Sequence, residues 1–258
     1  MSLLDAIAAG GEIDARRVLI VTAHPDDETL AFGTLMQRLT GVRIALATDG
    51  SPRDMRTQSH LGFPSVEAYR DARHTELVAA LAVAGLTPSA LIRLDFPDKE
   101  LAHNLAPFAG RLRGLCTAHG IQAVLTHAYE GGHPDHDAVA AGVALATRGT
   151  PIEVVEAPFY RSVAGRFTPH SFTPIPGARG VQVDLTPGEV ERKRAMIDCF
   201  ITQAPIFEHY RPRLERFRHA PAYDFTRPPN DGLVDYEREF FAWSAWAEAT
   251  APALAALR

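Results

Sequence analysis

The sequence predicts an α/β fold: a Rossmann-like, doubly wound, mostly parallel sheet with helices on both faces. The first observation is that five short runs rich in β-branched residues alternate with longer segments of helical periodicity. The second is that these runs are largely apolar, as strands buried on both faces of a sheet are. The third is that turn-forming Gly, Pro or Asp residues follow the runs.

The predicted elements follow one another in a regular order up to residue 157. The strands are predicted at Arg17–Ala23, Val42–Thr48, Ala90–Leu94, Ile121–Thr126 and Ile152–Ala157. The helices between them are predicted directly after Glu28 and at Val66–Ala84, Leu105–His119 and Ala138–Thr147. Acidic residues precede the first helix, and a glycine follows each of the second and third helices. Both features are favoured at these ends of helices. Residues 49–52 predict a turn and residues 53–65 a loop.

The pattern is less regular after Phe159. Residues 160–180 indicate a loop or an irregular hairpin, Val181–Leu185 a strand, and Pro187–Thr202 a helix with proline in its first turn. Residues 204–232 are rich in proline and arginine and show little periodicity, whereas Tyr236–Leu257 predicts a helix. We expect one domain over residues 1–258. In it, residues 1–160 carry the metal site and residues 161–258 form a variable, substrate-side and C-terminal helical part.

Composition narrows the class of protein. The chain has 258 residues, 46% of them hydrophobic, with a formal net charge of −5, which argues against a nucleic-acid-binding protein. No apolar run approaches the roughly 18 residues that span a bilayer, and the N-terminus lacks the pattern of a signal peptide. Two cysteines do not indicate a disulfide framework. We therefore expect a cytoplasmic protein, and leave open whether it forms a homo-oligomer.

Two short motifs concentrate the chemistry. AHPDDE occupies Ala23–Glu28 and GGHPDH occupies Gly131–His136, and each follows a predicted strand. Ligands of open α/β sheets collect at the carboxyl ends of the strands, so both motifs can face one crevice. A catalytic zinc site takes three protein ligands and leaves one position open, and His24, Asp27 and His136 can supply them. Asp26 then remains as general base, and His133 as oxyanion stabiliser or acid.

Simpler interpretations exist for each motif alone. An HPD sequence can be a helix start with aspartate as N-cap, and His127 and Tyr129 can be packing or hydrogen-bonding residues. Two such motifs at two strand ends of one sheet favour the metal site. The sequence has neither a G-x-G-x-x-G loop nor a G-x-S-x-G elbow, which argues against a dinucleotide enzyme and a serine hydrolase. The arginines between residues 211 and 218 could bind a phosphate or an acidic sugar, but a solvated loop, or ion pairs with Glu208 and Glu215, is the simpler interpretation.

AHPDDE and HPDH together resemble the motifs of the LmbE-like, PIG-L family of zinc-dependent N-deacetylases. Further segments match that family: Thr48-Asp49-Gly50, the helix with Arg73, Glu76, Leu77, Leu81 and Gly85, the segment Phe96-Pro97-Asp98, and the later helix with Lys193, Asp198 and Gln203. Ser51 stands where the family usually has glutamate. The resemblance fades after about residue 205, in the part expected to vary with the substrate.

The resemblance implies roles for named residues. His24, Asp27 and His136 would bind zinc, which iron could replace in vivo, and Asp26 would be the general base. His133 would stabilise the oxyanion or act as acid, with Asp135 orienting it. Arg73 and Asp98 would hold sugar hydroxyls. The implied reaction removes an N-acyl group, by expectation acetyl, from a small amino-sugar-containing molecule.

Two alternatives remain open beside this reaction. One is an amidase that acts on a thiol-sugar conjugate or another N-acyl compound. The other is a non-catalytic zinc- or carbohydrate-binding protein, which would have no need for a free base at Asp26.

One departure from the family concerns a tyrosine. Some members place a tyrosine two residues before the first histidine of HPDH, where it can assist the oxyanion. That position is Gly131 in this chain, and Tyr129 lies four residues before His133. We therefore assign no catalytic role to Tyr129.

Overall fold

The structure is a computed structural model, which describes residues 1–207, 210–238 and 241–257. Its helices are α1 Leu3–Ala9, α2 Asp27–Met36, α3 Arg56–His60, α4 Val66–Val83, α5 Leu105–Ala118, α6 Pro134–Thr147, α7 Pro187–Ile197, α8 Ala204–Phe207 and α9 Trp243–Leu254. Its strands are β1 Ile13–Asp14, β2 Val18–Thr22, β3 Leu39–Thr40, β4 Arg43–Pro52, β5 Leu91–Asp98, β6 Ala123–His127, β7 Glu153–Ala157, β8 Tyr160–Val163, β9 Arg166–Pro169, β10 Gly180–Asp184 and β11 Leu214–His219.

A seven-stranded sheet forms the centre of the fold, in the order β10-β11-β7-β6-β2-β4-β5. The strands from β7 to β5 are parallel, whereas β11 runs antiparallel to both β7 and β10. The chain leaves β2 towards β4 on one side and later returns to β6 on the other side. This change of direction opens a crevice at the carboxyl ends of β2 and β6, which is where ligands of such sheets bind.

Both faces of the sheet are buried, as the apolar strands predict. Along β2, Val18 and Ile20 pack into the hydrophobic cluster that includes α2 and α4. Leu19 and Val21 pack into a second cluster, formed with α5, α6 and α9. Alternate side chains of one strand therefore reach opposite layers of helices, and the prediction of a doubly wound, mostly parallel sheet is confirmed.

The structure corrects four local predictions. The turn predicted at residues 49–52 is the end of β4, because Pro52 still pairs with Asp98 of β5 after two register shifts. The loop predicted at residues 53–65 contains α3. Helix α6 begins at Pro134, inside the second motif, rather than at residue 138. The C-terminal helix begins at Trp243 rather than at residue 236.

The largest correction is β11, which lies in the arginine-rich region predicted to be irregular. Its sequence, LERFRH, is polar and does not resemble a buried strand. Its buried charged side chains are tolerated because each has a partner of opposite charge on another element. Arg218 Nε lies 2.6 Å from Glu156 Oε1 of β7, and Lys193 Nζ of α7 lies 2.6 Å from Glu215 Oε1. The ion pair predicted between these arginines and Glu215 is therefore wrong, and Glu208 lies outside the described residues.

The Lys193–Glu215 pair leads to a prediction about stability. Both side chains are about 1% exposed, and the Glu215 carboxylate also accepts hydrogen bonds from the Thr34 and Leu35 peptide N–H groups. Lys193→Met leaves that carboxylate buried without its cation, which should lower the free energy of unfolding by about 3–5 kcal/mol. Urea denaturation measures this change. The exposed neighbour Arg192→Met is the control, and equal effects of both variants would contradict the prediction.

Within the described residues, no helix has the length and apolar character needed to cross a membrane.

Candidate active site

The two motifs meet at the carboxyl ends of β2 and β6. AHPDDE connects β2 to α2, and GGHPDH connects β6 to α6, so the parallel pairing of β2 with β6 places them side by side. They line a cavity of about 600 Å³ that contains His24, Asp26, Asp27, Arg73, Asp98, His133 and His136. Eight residues are predicted for the site, and seven of them line this cavity. The eighth, Asp135, lies beside them in the first turn of α6.

Asp27 links the two motifs. Its Oδ2 lies 3.3 Å from Nδ1 of His24, and its Oδ1 lies 3.2 Å from Nε2 of His136. Asp27 Oδ2 also accepts a hydrogen bond of 2.7 Å from the His24 peptide N–H, which fixes the carboxylate across the strand-to-helix turn. Burial alone would raise the pKa of Asp27, but the adjoining His136 and His127 rings hold it well below its ordinary value.

These distances fit a bound metal ion. Nitrogen and oxygen ligands about 2.0–2.1 Å from a tetrahedral zinc lie about 3.3 Å from one another, which matches the spacing of Asp27 from both histidines. Ring nitrogens of His24, His133 and His136 also lie within 4.8 Å of one another. The donor set of imidazoles and one carboxylate, buried at the base of a cavity, is therefore a group that could hold a metal.

His24 shows a second feature of metal-binding histidines. While Nδ1 faces Asp27, Nε2 lies 3.1 Å from Asp98 Oδ1 and 3.3 Å from Asp135 Oδ2. A metal-ligating histidine commonly donates its second N–H to a carboxylate, which orients the ring and increases its basicity. Asp98 and Asp135 are therefore placed to orient His24 in this structure.

Asp135 occupies a more constrained position than the sequence indicates. Its carboxylate accepts hydrogen bonds from the peptide N–H groups of Lys99 (2.7 Å) and Leu101 (3.1 Å), and its own N–H donates to Nδ1 of His133. Asp135 thus ties the segment after β5 to the start of α6. The Asp135 carboxylate thus contacts His24 and two peptide N–H groups, and only the Asp135 peptide N–H reaches His133, so the orientation of His133 by Asp135 stays a prediction.

Asp26 stands apart from the three candidate ligands. Although it occupies the N-cap position of α2, its carboxylate makes no capping bond within the described part of the chain. Its Oδ2 instead accepts a 2.7 Å hydrogen bond from Nη2 of Arg73. The Asp26 backbone has a φ of 135°, a strained conformation of the kind that clusters at functional sites. The simpler interpretation of this aspartate as an ordinary N-cap is therefore wrong.

Arg73 holds Asp26 in place. Besides the Asp26 carboxylate, its guanidinium donates to the carbonyls of Gly50 (2.7 Å) and Pro25 (2.8 Å). Gly50 allows this approach, since its φ is +64° and a Cβ there would lie 2.6 Å from Arg73 Nη1. The family resemblance implies that Arg73 holds sugar hydroxyls, whereas in the structure its guanidinium donates to Asp26 and to the carbonyls of Gly50 and Pro25. A contact with substrate stays a prediction.

Burial shifts the pKa of both acid–base candidates, Asp26 and His133. Burial raises the pKa of the Asp26 carboxyl well above its ordinary value, although the Arg73 cation acts in the opposite direction. Burial and the neighbouring His24 and His136 rings lower the pKa of His133 well below its ordinary value, which favours a neutral ring. His133 is the N-cap of α6 and lines the cavity, so its ring faces the space where a substrate would bind.

His127 is a cluster residue to which the sequence gave no role in the site. Its ring stacks on His136 with centroids 4.2 Å apart, and its Nε2 accepts a 3.0 Å hydrogen bond from the Ala23 peptide N–H. Burial lowers the pKa of His127 to about 3. Because its Nε2 accepts the hydrogen bond from the Ala23 peptide N–H, His127 is placed to fix the chain after β2 and to pack against the His136 ring. Its position at the end of β6 was the only available signal.

Tyr129 packs away from the reaction centre. Its hydroxyl donates to the Arg227 carbonyl (2.9 Å), and its ring lies against Phe225 and Trp246. Trp246 is fully buried and donates through Nε1 to the Pro134 carbonyl. Both residues thus serve packing around the start of α6.

Comparison with known proteins shows the family of the chain. A family model described as PIG-L, GlcNAc-PI de-N-acetylase, matches residues 19–147, a range that includes both motifs. A Bacillus cereus protein named "Probable N-acetyl-alpha-D-glucosaminyl L-malate deacetylase 2" is 31% identical over 153 residues, which are 58% of this chain and 68% of that protein. A Catenulispora acidiphila protein named "1D-myo-inositol 2-acetamido-2-deoxy-alpha-D-glucopyranoside deacetylase 2" is 30% identical over 155 residues, with 48% of each chain covered.

Solved structures share the fold at lower sequence identity. The A40926 pseudoaglycone deacetylase aligns with a TM-score of 0.63 and 19% identity, over 82% of this chain and 99% of that chain. The N,N'-diacetylchitobiose deacetylase of Pyrococcus horikoshii aligns with a TM-score of 0.52 and 18% identity, over 85% and 90%. The family model spans half of the sequence, and the Bacillus relative is matched over two thirds of its length. The chain therefore belongs to the PIG-L family of de-N-acetylases.

Proposed function

We propose that this chain is a zinc-dependent hydrolase that removes an N-acetyl group from an amino-sugar-containing small molecule. The observation that carries the proposal is the separation of two functions in one cavity. Asp27 lies 3.3 Å from His24 and 3.2 Å from His136, a spacing that supports these three residues as the metal ligands, while the carboxylate of Asp26 accepts a hydrogen bond from Arg73 in the same cavity. The names of the Bacillus and Catenulispora relatives support the substrate class, because each name describes a deacetylase of a glucosamine derivative that carries an N-acetyl group.

A zinc ion bound by His24, Asp27 and His136 would supply Lewis acidity and lower the pKa of an adjacent water towards about 7. Asp26 would accept a proton from the attacking water, since its carboxylate is fixed in the cavity by Arg73. His133, at the start of α6, would stabilise the developing oxyanion. Asp26, once protonated, would then deliver that proton to the amine nitrogen as the bond between this nitrogen and the acyl carbon breaks. Asp135 and Asp98 would keep the His24 ring oriented.

The proposal extends to the chain as a whole. Residues 1–160 supply the reacting groups, and residues 161–258 complete the cavity through Phe167, Gln203, Ile206 and Tyr210. We place the protein in the cytoplasm, a location that its two free cysteines support.

Acetate release tests this function. Zinc-reconstituted protein is incubated with a panel of N-acetylglucosamine derivatives, and free acetate is quantified. We expect release that a chelator abolishes and added zinc restores. Tight binding of the sugars without any acetate would favour the non-catalytic alternative, and release only from non-sugar N-acyl compounds would favour the amidase. Either result would contradict the proposal.

Arg73 is expected to act as a positioning residue. Arg73 uses Nη1 for the Gly50 carbonyl and Nη2 for Asp26 and the Pro25 carbonyl, whereas lysine has one nitrogen on a flexible stem, so Arg73→Lys should misplace the base. We expect kcat to fall about 100-fold, with KM and zinc content little changed. Arg70→Lys, on the same helix, is the matched control. A rise in KM at constant kcat would instead show that Arg73 binds the substrate.

A further inference from the structure

The cavity is larger than an N-acetyl sugar requires. Its volume of about 600 Å³ lies within the range of pockets that enclose drug-sized ligands, about 300–1,000 Å³. In a deacetylase, the acyl side of the substrate is only an acetyl group. Most of the cavity must therefore receive the amine side of the substrate, which is the sugar together with whatever is attached to it.

One part of the cavity surface is apolar. This part, called the apolar wall below, consists of Leu30, Tyr160, Phe167, Ile206, Phe207 and Tyr210. Polar groups that suit sugar hydroxyls also line the cavity, among them Thr57 and Lys99 from other segments of the chain and Gln203, which directly precedes α8. The cavity therefore offers both a polar surface and an apolar surface to one ligand.

The apolar wall begins at the reaction centre. The ring of Tyr160 lies 5.5 Å from that of His136, and Phe167 stacks on Tyr160 at 5.1 Å. Tyr210 contacts Phe167 at 6.4 Å, and Phe207 contacts Tyr210 at 6.1 Å. A series of aromatic contacts thus connects a candidate metal ligand to the exposed Phe167, and continues from Phe167 to the buried Tyr210 and Phe207.

The outer members of the wall are exposed. Phe167 is 45% exposed and Ile206 54% exposed, whereas Phe207 and Tyr210 are buried. Exposed apolar side chains that line a binding cavity are typical of a ligand-binding surface, because the contact of such side chains with water is unfavourable. A ligand that reaches from His136 to this rim would cover them.

We propose that the amino sugar of the substrate carries an apolar aglycone, alkyl or aromatic, which lies along the apolar wall. This inference rests on the proposed function, because the acetyl group that a deacetylase removes is too small to reach Phe167 and Ile206. The sugar hydroxyls face the polar part of the cavity, and the aglycone extends to the rim. A sugar with a small or strongly polar aglycone leaves the wall uncovered and is a poorer substrate.

The test compares substrates that differ only in the apolar group. Methyl and octyl glycosides of N-acetylglucosamine, in both anomers and below micelle-forming concentrations, are assayed for acetate release and titrated by calorimetry. The octyl glycoside is expected to exceed the methyl glycoside by about 30-fold in kcat/KM and in affinity, the effect of burying two to three methylene groups. A third compound, the methyl glycoside of N-octanoylglucosamine, places the same chain on the acyl side.

Matched variants locate the effect. Ile206→Ser and Phe167→Ser should each reduce the octyl-to-methyl ratio several-fold. Ile201→Ser and Val163→Ser are the controls, since both residues are exposed (77% and 37%) and lie near the tested ones in sequence but outside the apolar wall. A ratio that falls equally in all four variants would overturn the assignment of the wall.

The outcomes separate this inference from the proposed function. Equal hydrolysis and equal binding of methyl and octyl glycosides would overturn the inference and leave the deacetylase in place. Tighter binding of the octyl glycoside without acetate release from any compound would support the apolar wall and contradict the deacetylase. Preference for the N-octanoyl compound over the octyl glycoside would overturn the inference by assigning the wall to the acyl chain.

Discussion

Replacement of Asp26 by asparagine is expected to leave zinc bound while kcat for acetate release falls by about 100- to 10,000-fold. Asparagine keeps the size of the side chain and an oxygen that can accept from Arg73, so the 2.7 Å contact and the strained backbone can persist. What is lost is the ability to take a proton. Zinc per chain by elemental analysis and steady-state kinetics on the same preparation measure both parts of the prediction.

The control for Asp26 is an aspartate outside the cavity. Asp54→Asn, at an exposed position after β4, should change neither zinc content nor turnover. Turnover of Asp26→Asn within about threefold of the unchanged protein would remove Asp26 as general base. Loss of zinc in parallel with activity would show instead that Asp26 belongs to the metal ligands.

Replacement of His136 by alanine should abolish both zinc binding and activity. His136 Nε2 is 3.2 Å from Asp27 Oδ1, and loss of one of three protein ligands leaves too few to hold a catalytic zinc. We expect zinc content after dialysis to fall to the level of a blank, with acetate release at background. His119→Ala, remote from the cavity, should retain zinc.

Folding has to be separated from metal loss in this experiment. The His136 ring stacks on His127 and contacts Phe159 at 5.0 Å, so its removal leaves space in the core of the site. His136→Gln fills more of that space, and far-UV circular dichroism reports whether each variant is folded. A folded His136→Gln protein with full zinc content would contradict the assignment of His136 as a ligand.

Local patterns were sufficient to predict the parallel part of the sheet. The strands β2, β4, β5, β6 and β7 each contain a short run of apolar residues, and such runs are typical of strands in a parallel sheet that is covered by helices. Because parallel strands end at one edge, the same patterns placed His24 and His136 together although they are 112 residues apart. The proximity of His24 and His136 could therefore be predicted from the order of strands and helices along the chain.

The parts that could not be predicted depend on partners distant in sequence. β11 is a strand because Glu215 meets Lys193 and Arg218 meets Glu156, and a sequence pattern does not show those pairings. Arg73 reaches Asp26 across 47 positions, so its role as a positioning residue required coordinates. The contact of Asp135 with His24, rather than with His133 alone, likewise follows from the approach of the segment after β5.

A zinc titration of chelator-treated protein, followed by acetate release from an N-acetylglucosamine glycoside, tests the central claim most directly. Activity is expected to rise in proportion to added zinc and to stop rising at one zinc per chain, because His24, Asp27 and His136 form one site. In the same titration, His136→Ala should remain inactive at every zinc concentration. Acetate release by the metal-free protein, or one bound zinc per chain without any acetate release, would contradict the account.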